Sequence, residues 1–130
     1  MQLDNEKKRK IEEKYARGSQ NFTQKDLDKV MTQEETALQK GDKLGKQIEN
    51  FKTFWSLLKD YTSGNYKNVP WKFIGAVGFA VAYLISPVDV IPDVIPLLGF
   101  VDDAAVFAMV VKAFGSEIEA YRIWKETHRS

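Results

Sequence analysis

The strongest constraint on this chain is residues 73–111, a long segment that contains no lysine or arginine. Of its 39 residues 28 are apolar, and four aspartates give it a formal charge of −4. Residues 73–85 lack a polar face altogether, and a helix of that kind is buried in a protein core or in a membrane. Since 130 residues can bury a core without help, we expect one domain built around this segment.

The N-terminal half is charged and amphipathic. Residues 1–69 carry 14 Lys or Arg and 11 Asp or Glu. We expect residues 1–20 to form a charged arm or a marginal helix, ahead of a helical domain over residues 21–130. Thr23 is the predicted N-cap of a helix that runs to Gly41.

Apolar residues then recur at intervals of four and three, which predicts an amphipathic helix over 44–62. We expect this helix to cover a central apolar hairpin. The first helix of the hairpin is 71–85, with Pro70 suited to its first turn, and the second opens at Asp102 or Asp103. The buried face of the second helix has six members: Val106, Val110, Phe114, Ile118, Tyr121 and Trp124. The predicted fold is a small, single-domain, all-α bundle of four to five helices.

Small residues mark one side of the apolar helix. Gly75, Gly78 and Ala82 fall together at helical spacing, and each glycine costs roughly 1 kcal/mol of helix propensity relative to alanine. A smooth stripe of this kind predicts that another helix approaches closely there.

The apolar segment is too short to be a typical membrane span. The uncharged run over 73–88 would form a helix of about 24 Å, whereas a spanning helix needs about 20 residues. An aspartate pair at bilayer depth is also costly, which disfavours insertion of Asp102 and Asp103. These lengths favour the core of a soluble bundle. The alternative is a short helical hairpin that dips into a bilayer, with Trp71 and Lys72 at the interface.

The four aspartates are the main candidates for chemistry. Asp89, Asp93, Asp102 and Asp103 could converge across the proline-rich turn and bind Mg²⁺ or Ca²⁺ through oxygen atoms. The favoured interpretation is that Asp102 or Asp103 caps the last helix, while Asp89 and Asp93 bond to backbone N–H groups of turns. The spacing does not match an EF-hand loop.

Other chemistry has little support in the sequence. The absence of cysteine excludes disulfides, thiolate zinc sites and thiol catalysis. A net charge of +1 excludes a strongly basic nucleic-acid binder, and the basic cluster at 7–10 is flanked by acids. The single histidine, His128, lies near the end of the sequence, so a Ser-His-Asp site is not expected. We therefore predict no enzymatic activity, no cofactor, no metal ligands and no nucleic-acid partner.

A family resemblance follows from the proline-rich segment. Residues 82–93 read AYLISPVDVIPD, and a proline, a glycine and a paired aspartate follow. The segment resembles the signature of the YkvA-like family, a bacterial and eukaryotic domain of unknown function, and the likeness is close over 70–111. The motif residues of this chain are Ser86, Pro87, Asp89, Pro92, Asp93, Pro96, Gly99, Asp102 and Asp103. The resemblance implies an all-α hairpin, and it favours membrane contact because some members are called membrane proteins for their hydropathy.

The predicted function is a non-enzymatic helical interaction domain with a protein or lipid partner. Membrane contact, where it occurs, is expected through residues 73–101. The predicted localisation is cytoplasmic, with membrane association on the cytoplasmic side as the alternative. Two other functions stay open: a divalent-metal-binding or enzymatic domain that uses the aspartates, and a soluble scaffold whose partner docks on the amphipathic N-terminal helices.

Overall fold

The computed structural model describes residues 9, 19–85 and 103–128, and it is all-α, as predicted. Six α-helices and one 3₁₀ helix lie wholly within these ranges, and none of the described residues forms a strand. The helices are α1 (Gln24–Met31), α2 (Glu34–Gly41), the 3₁₀ helix η1 (Gly45–Gln47), α3 (Ile48–Thr62), α4 (Trp71–Ile85), α5 (Asp103–Ala113) and α6 (Gly115–Thr127). The predicted arm over 1–20 lies almost entirely outside the described residues.

Helix α1 begins where the sequence predicts. The Thr23 hydroxyl accepts a hydrogen bond from the Asp26 N–H at 3.2 Å, and the Asp26 carboxylate accepts one from the Thr23 N–H at 2.9 Å, which completes a capping box. The predicted helix to Gly41 is broken, however. The Thr32 hydroxyl donates to the Lys29 carbonyl at 2.6 Å and helps to end α1, and α2 starts two residues later.

Helix α3 confirms the amphipathic prediction from residue 48 onward, whereas residues 45–47 of the predicted helix form η1. Most of its apolar stripe is buried, and Trp55 in that stripe also donates from Nε1 to the Glu34 carboxylate at 3.2 Å, which ties α3 to α2. The helix ends at Ser63, and Gly64 then adopts a left-handed conformation with φ of 85°. The buried apolar residues of this helix are Phe51, Phe54, Trp55, Leu57 and Leu58.

Helix α4 is the centre of the bundle. Every residue from Phe73 to Ile85 is buried, and α1, α2, α3 and α5 all pack against this helix. A helix with no polar face is stable in water only when other elements cover it on all sides, and here helices of the same chain do so. Within the described residues, no helix combines the length and apolar character that a membrane crossing requires.

The last predicted helix is divided at Phe114 into α5 and α6. The backbone of Phe114 is not helical, with φ of −125° and ψ of 34°. The Phe114 ring packs on Phe73 with ring centroids 5.4 Å apart, so the break turns α6 away while the ring stays on the core. Two predicted helices are thus each divided, and the six α-helices and one 3₁₀ helix of the described ranges are roughly consistent with the predicted four to five. The predicted face is otherwise confirmed: Val106, Val110, Ile118 and Tyr121 are buried, and Phe114 and Trp124 are partly buried.

Candidate functional site

The residues predicted as the candidate site lie mostly outside the described residues. This applies to eight members of the motif: Ser86, Pro87, Asp89, Pro92, Asp93, Pro96, Gly99 and Asp102. The ninth, Asp103, is the first residue of α5, and only its backbone is described, so the capping interpretation stays a prediction. Convergence of the aspartates on a metal ion therefore stays a prediction.

The two helices that flank the motif are antiparallel. Phe73, near the start of α4, meets Phe114, just beyond the end of α5, and the two helices pack along each other. Ile85 and Asp103 therefore lie towards the same end of the bundle, which we call the motif end. Residues 86–102 start and finish there. The other end, where α4 begins, is called the Trp71 end.

A lysine from a distant helix is bound at the motif end. The Lys40 Nζ, at the end of α2, donates to the Ile85 carbonyl oxygen at 2.7 Å. A cation at the C-terminus of a helix satisfies a carbonyl that has no partner within the helix and interacts favourably with the helix dipole. This contact fixes the last turn of α4, one residue before the motif begins at Ser86. Sequence reasoning missed it because 45 residues separate the two partners.

The glycine side of α4 is covered by the segment that precedes α1. A Cβ atom built on Gly78 would lie 2.5 Å from the Phe22 ring, and one built on Gly75 would lie 3.3 Å from the Ser19 carbonyl oxygen. The Trp71 indole N–H also donates to the Phe22 carbonyl at 3.3 Å. The predicted close approach is therefore made, at Gly75 and Gly78, by residues 19–22.

A buried carboxylate joins α3 to α6. Asp60 is 7% exposed and is the only buried charged residue among the described side chains. Its Oδ2 accepts from the Tyr121 hydroxyl at 2.5 Å and from the Lys125 Nζ at 3.0 Å. The Tyr121 hydroxyl oxygen also lies 2.6 Å from the Ser56 hydroxyl. We call Ser56, Asp60, Tyr121 and Lys125 the polar seam.

The polar seam is arranged to hold two helices together and not to transfer protons near neutral pH. Burial raises the pKa of Asp60, but hydrogen bonds from Tyr121 and Lys125 outweigh it and hold the pKa below its ordinary value of 3.8. Burial, together with the bond to Asp60, raises the pKa of Tyr121 above its ordinary value of 10.0. Asp60 is therefore ionised and Tyr121 neutral over the physiological range, whereas a general acid or base needs a pKa near the working pH.

Aromatic rings surround the seam and fill the space beside it. Tyr66 meets Tyr121 with centroids 5.1 Å apart, and Trp124 lies 4.7 Å from Tyr66. His128 stacks on Trp124 at 4.7 Å. The histidine thus packs on an indole, and the described part of the chain contains no group of three or more His, Cys, Asp or Glu side chains that could hold a metal ion.

The sequence contained one signal for the seam. Asp60 lies three residues after Leu57 and four after Ser56, so it falls on the edge of the apolar stripe of α3. The amphipathic pattern predicts that the acids of this segment lie on the solvated face. Asp60 is buried instead. Tyr121 and Lys125, which are 61 and 65 residues away, provide the partners of this buried carboxylate.

Comparisons with known proteins agree with the motif. The model of a family described as "Protein of unknown function (DUF1232)" matches residues 74–109, which contain all nine motif residues. A protein of Bacillus subtilis (strain 168), described as "Uncharacterized membrane protein YkvA", is 36% identical over 80 residues, or 62% of this chain and 76% of that protein. No solved structure matches the chain. The two matches confirm the resemblance drawn from the motif.

Proposed function

Since the chain belongs to the YkvA-like family (DUF1232), whose function is unknown, we propose that it is a non-enzymatic helical interaction domain that associates peripherally with the cytoplasmic side of a membrane. The bundle serves as the scaffold, and the motif over 86–102 serves as the segment that meets a partner.

The antiparallel packing of α4 and α5 is the observation that carries this proposal. It brings both ends of the motif to one end of the bundle, and Lys40 fixes the last turn of α4 at that point. The residues that flank the motif are held in packed helices, so they lose little conformational entropy when a partner binds beside them. The polar groups of the described core, in contrast, are engaged with one another.

The membrane part of the proposal rests on two further observations. The Bacillus subtilis relative is called a membrane protein. The predicted contact region, residues 73–101, includes α4, whose residues 73–85 are buried against other helices of the chain. We therefore propose a contact that leaves α4 packed in the bundle, and not insertion of this helix into the bilayer.

Fractionation tests the membrane association. The untagged full chain is expressed in bacteria, and its distribution between the supernatant and the membrane pellet is measured before and after an alkaline carbonate wash. A peripheral protein is expected in the pellet at low ionic strength and in the supernatant after the wash. Recovery entirely in the first supernatant would contradict membrane association, and retention after carbonate would contradict a peripheral contact.

Site-specific photo-cross-linking tests the role of the motif. A photoreactive amino acid is placed at Val94 in the motif and, in separate variants, at Leu38 on α2 and Ile123 on α6, which are 44% and 58% exposed. Adducts identified by mass spectrometry are expected from position 94. Adducts from positions 38 or 123 alone would indicate a partner that docks on the outer helices and would contradict the proposal.

A further inference from the structure

We infer that the Trp71 end of the bundle is the surface that lies on the membrane, where it contacts anionic lipid headgroups. The surface, called here the aromatic–lysine rim, consists of Tyr61, Tyr66, Lys67, Trp71 and Lys72. The three aromatic side chains are half-buried and the two lysines are exposed. This inference rests on the proposed membrane association and names the part of the molecule that makes it.

The aromatic members of the rim have one packed side and one open side. Trp71 lies 6.2 Å from the Tyr61 ring and 6.5 Å from the Phe22 ring, while Tyr66 packs on Trp124 at 4.7 Å. These contacts hold the rings in place, and the remaining ring surface faces water. Tyrosine and tryptophan with an apolar body and a wet edge are enriched at the headgroup level of membranes.

The rim is basic and its lysines are available. Residues 61–72 contain Lys67 and Lys72 and no aspartate or glutamate. No described residue forms an ion pair with either lysine. Two carboxylates of the neighbouring helices are engaged: Asp60 is buried against Lys125, and Asp26 caps α1 through Thr23. Two ammonium groups that form no ion pair with a described residue, next to half-exposed rings, match an anionic lipid surface.

The charge of the motif segment argues against its contact with anionic lipid. Segment 86–103, which begins and finishes at the motif end, carries four aspartates and no base, a charge of −4. Residues 40–46, which adjoin it through Lys40, carry three lysines and one aspartate, a charge of +2. Together these two segments carry a charge of −2, whereas residues 61–72 carry a charge of +2. An anionic bilayer therefore attracts residues 61–72 and repels segment 86–103.

The orientation that follows serves the proposed function. Helix α4 runs from one end to the other over 15 residues, about 22 Å. With the rim on the headgroups, Ile85 and Asp103, which flank the motif, lie at the end of the bundle away from the bilayer. The apolar core does not have to open.

Vesicle flotation with the purified full chain tests the inference. The vesicles contain either phosphatidylcholine alone or phosphatidylcholine with phosphatidylglycerol. Binding is expected only with phosphatidylglycerol and is expected to weaken as salt is raised. The double variant Lys67→Gln/Lys72→Gln is expected to bind roughly 10- to 30-fold more weakly at low salt, because each lysine near an anionic surface contributes about a fivefold factor. The matched control Lys43→Gln/Lys46→Gln removes the same charge at the motif end and is expected to bind like the unmodified chain.

Three outcomes would overturn the inference, and they separate it from the proposed function. If the folded control variant loses binding as strongly as the rim variant, the membrane association stands but the surface is wrong. If the chain binds native membranes but no protein-free vesicle, its membrane partner is a protein. If the chain binds neither, the proposed membrane association fails together with the inference. Circular dichroism of each variant confirms that it is folded, which is expected because all four lysines are exposed.

Discussion

The apolar centre around α4 and the polar seam between α3 and α6 hold the same bundle by different physics. The centre excludes water with side chains that are mostly apolar, and the free energy lost when one of them is truncated depends on the volume of the cavity that is left. The seam buries an ionised carboxylate that needs its hydrogen-bond partners. The free energy lost when one partner is removed therefore depends on the groups left unsatisfied and on pH. We therefore expect substitutions in the first region to act through cavity volume and those in the second through lost hydrogen bonds and through pH.

The largest expected effect comes from a cavity in the centre. Phe107 is fully buried, with the Phe54 ring 5.0 Å and the Phe51 ring 6.2 Å away. Phe107→Ala is expected to lower the free energy of unfolding by about 3–5 kcal/mol, measured by urea denaturation. The neighbouring exposed Ala108 supplies a control, since Ala108→Ser should change it by less than about 0.5 kcal/mol. A loss below about 1 kcal/mol for Phe107→Ala would show that the centre is not closely packed.

In the seam, removal of a single hydroxyl oxygen is expected to lower the free energy of unfolding. Tyr121→Phe keeps the ring but takes a hydrogen bond away from the buried Asp60, and it is expected to cost about 1–3 kcal/mol of unfolding free energy. Tyr61→Phe, at a half-exposed ring, is the matched control and is expected to be nearly neutral. Equal effects of the two substitutions would mean that the seam contributes no more than an ordinary surface tyrosine.

The seam should also give the bundle a pH dependence that the centre lacks. The pKa of Asp60 is lowered from 3.8 on folding, so its contribution to stability is present above that value and is lost as the pH falls through the lower, folded-state pKa. The pKa of Tyr121 is raised from 10.0, so its contribution is present below that value and is lost as the pH rises. The free energy of unfolding is measured by urea denaturation across this pH range for the unmodified chain and for the double variant Asp60→Asn/Tyr121→Phe. The difference between the two should be largest between pH 3.8 and pH 10.0. A constant difference at every pH would contradict the assignment.

The smallest expected effect concerns the glycine side of the centre. Gly78→Ala would gain about 1 kcal/mol of helix propensity, but its Cβ would lie 2.5 Å from the Phe22 ring, and overpacking costs about 1–3 kcal/mol. We expect Gly78→Ala to lower the free energy of unfolding by about 1 kcal/mol in the unmodified chain. The same substitution made in a Phe22→Ala variant should cause no further loss. Gly115→Ala, which meets no atom within 4 Å, should stabilise slightly. A gain at both glycines would show that Phe22 does not occupy the stripe.

Most of the centre could be predicted from the sequence because burial of apolar residues follows helical periodicity. The all-α class, the N-cap at Thr23 and the buried face of the C-terminal helices all follow from local patterns. The breaks at Thr32 and Phe114 do not, because side chains at those positions fit a continuous helix and the divisions depend on hydroxyl bonding and on packing against Phe73.

The seam could not be predicted for a related reason. A carboxylate at the edge of an amphipathic stripe is solvated unless distant residues cover it, and the residues that cover Asp60 are more than 60 positions away. The same holds for the contact of Lys40 with Ile85. Periodicity shows which face of a helix is buried, and polar partners across the bundle are a property of the packed helices.

Amide hydrogen–deuterium exchange of the lipid-free full chain tests most directly the central claim that helices of the same chain cover α4. The account predicts that amides of residues 73–85 exchange slowly in water without any lipid, at least as slowly as those of α3, and that added vesicles change them little. Fast exchange of 73–85 in water, with protection only after vesicles are added, would contradict it and would make α4 a membrane element.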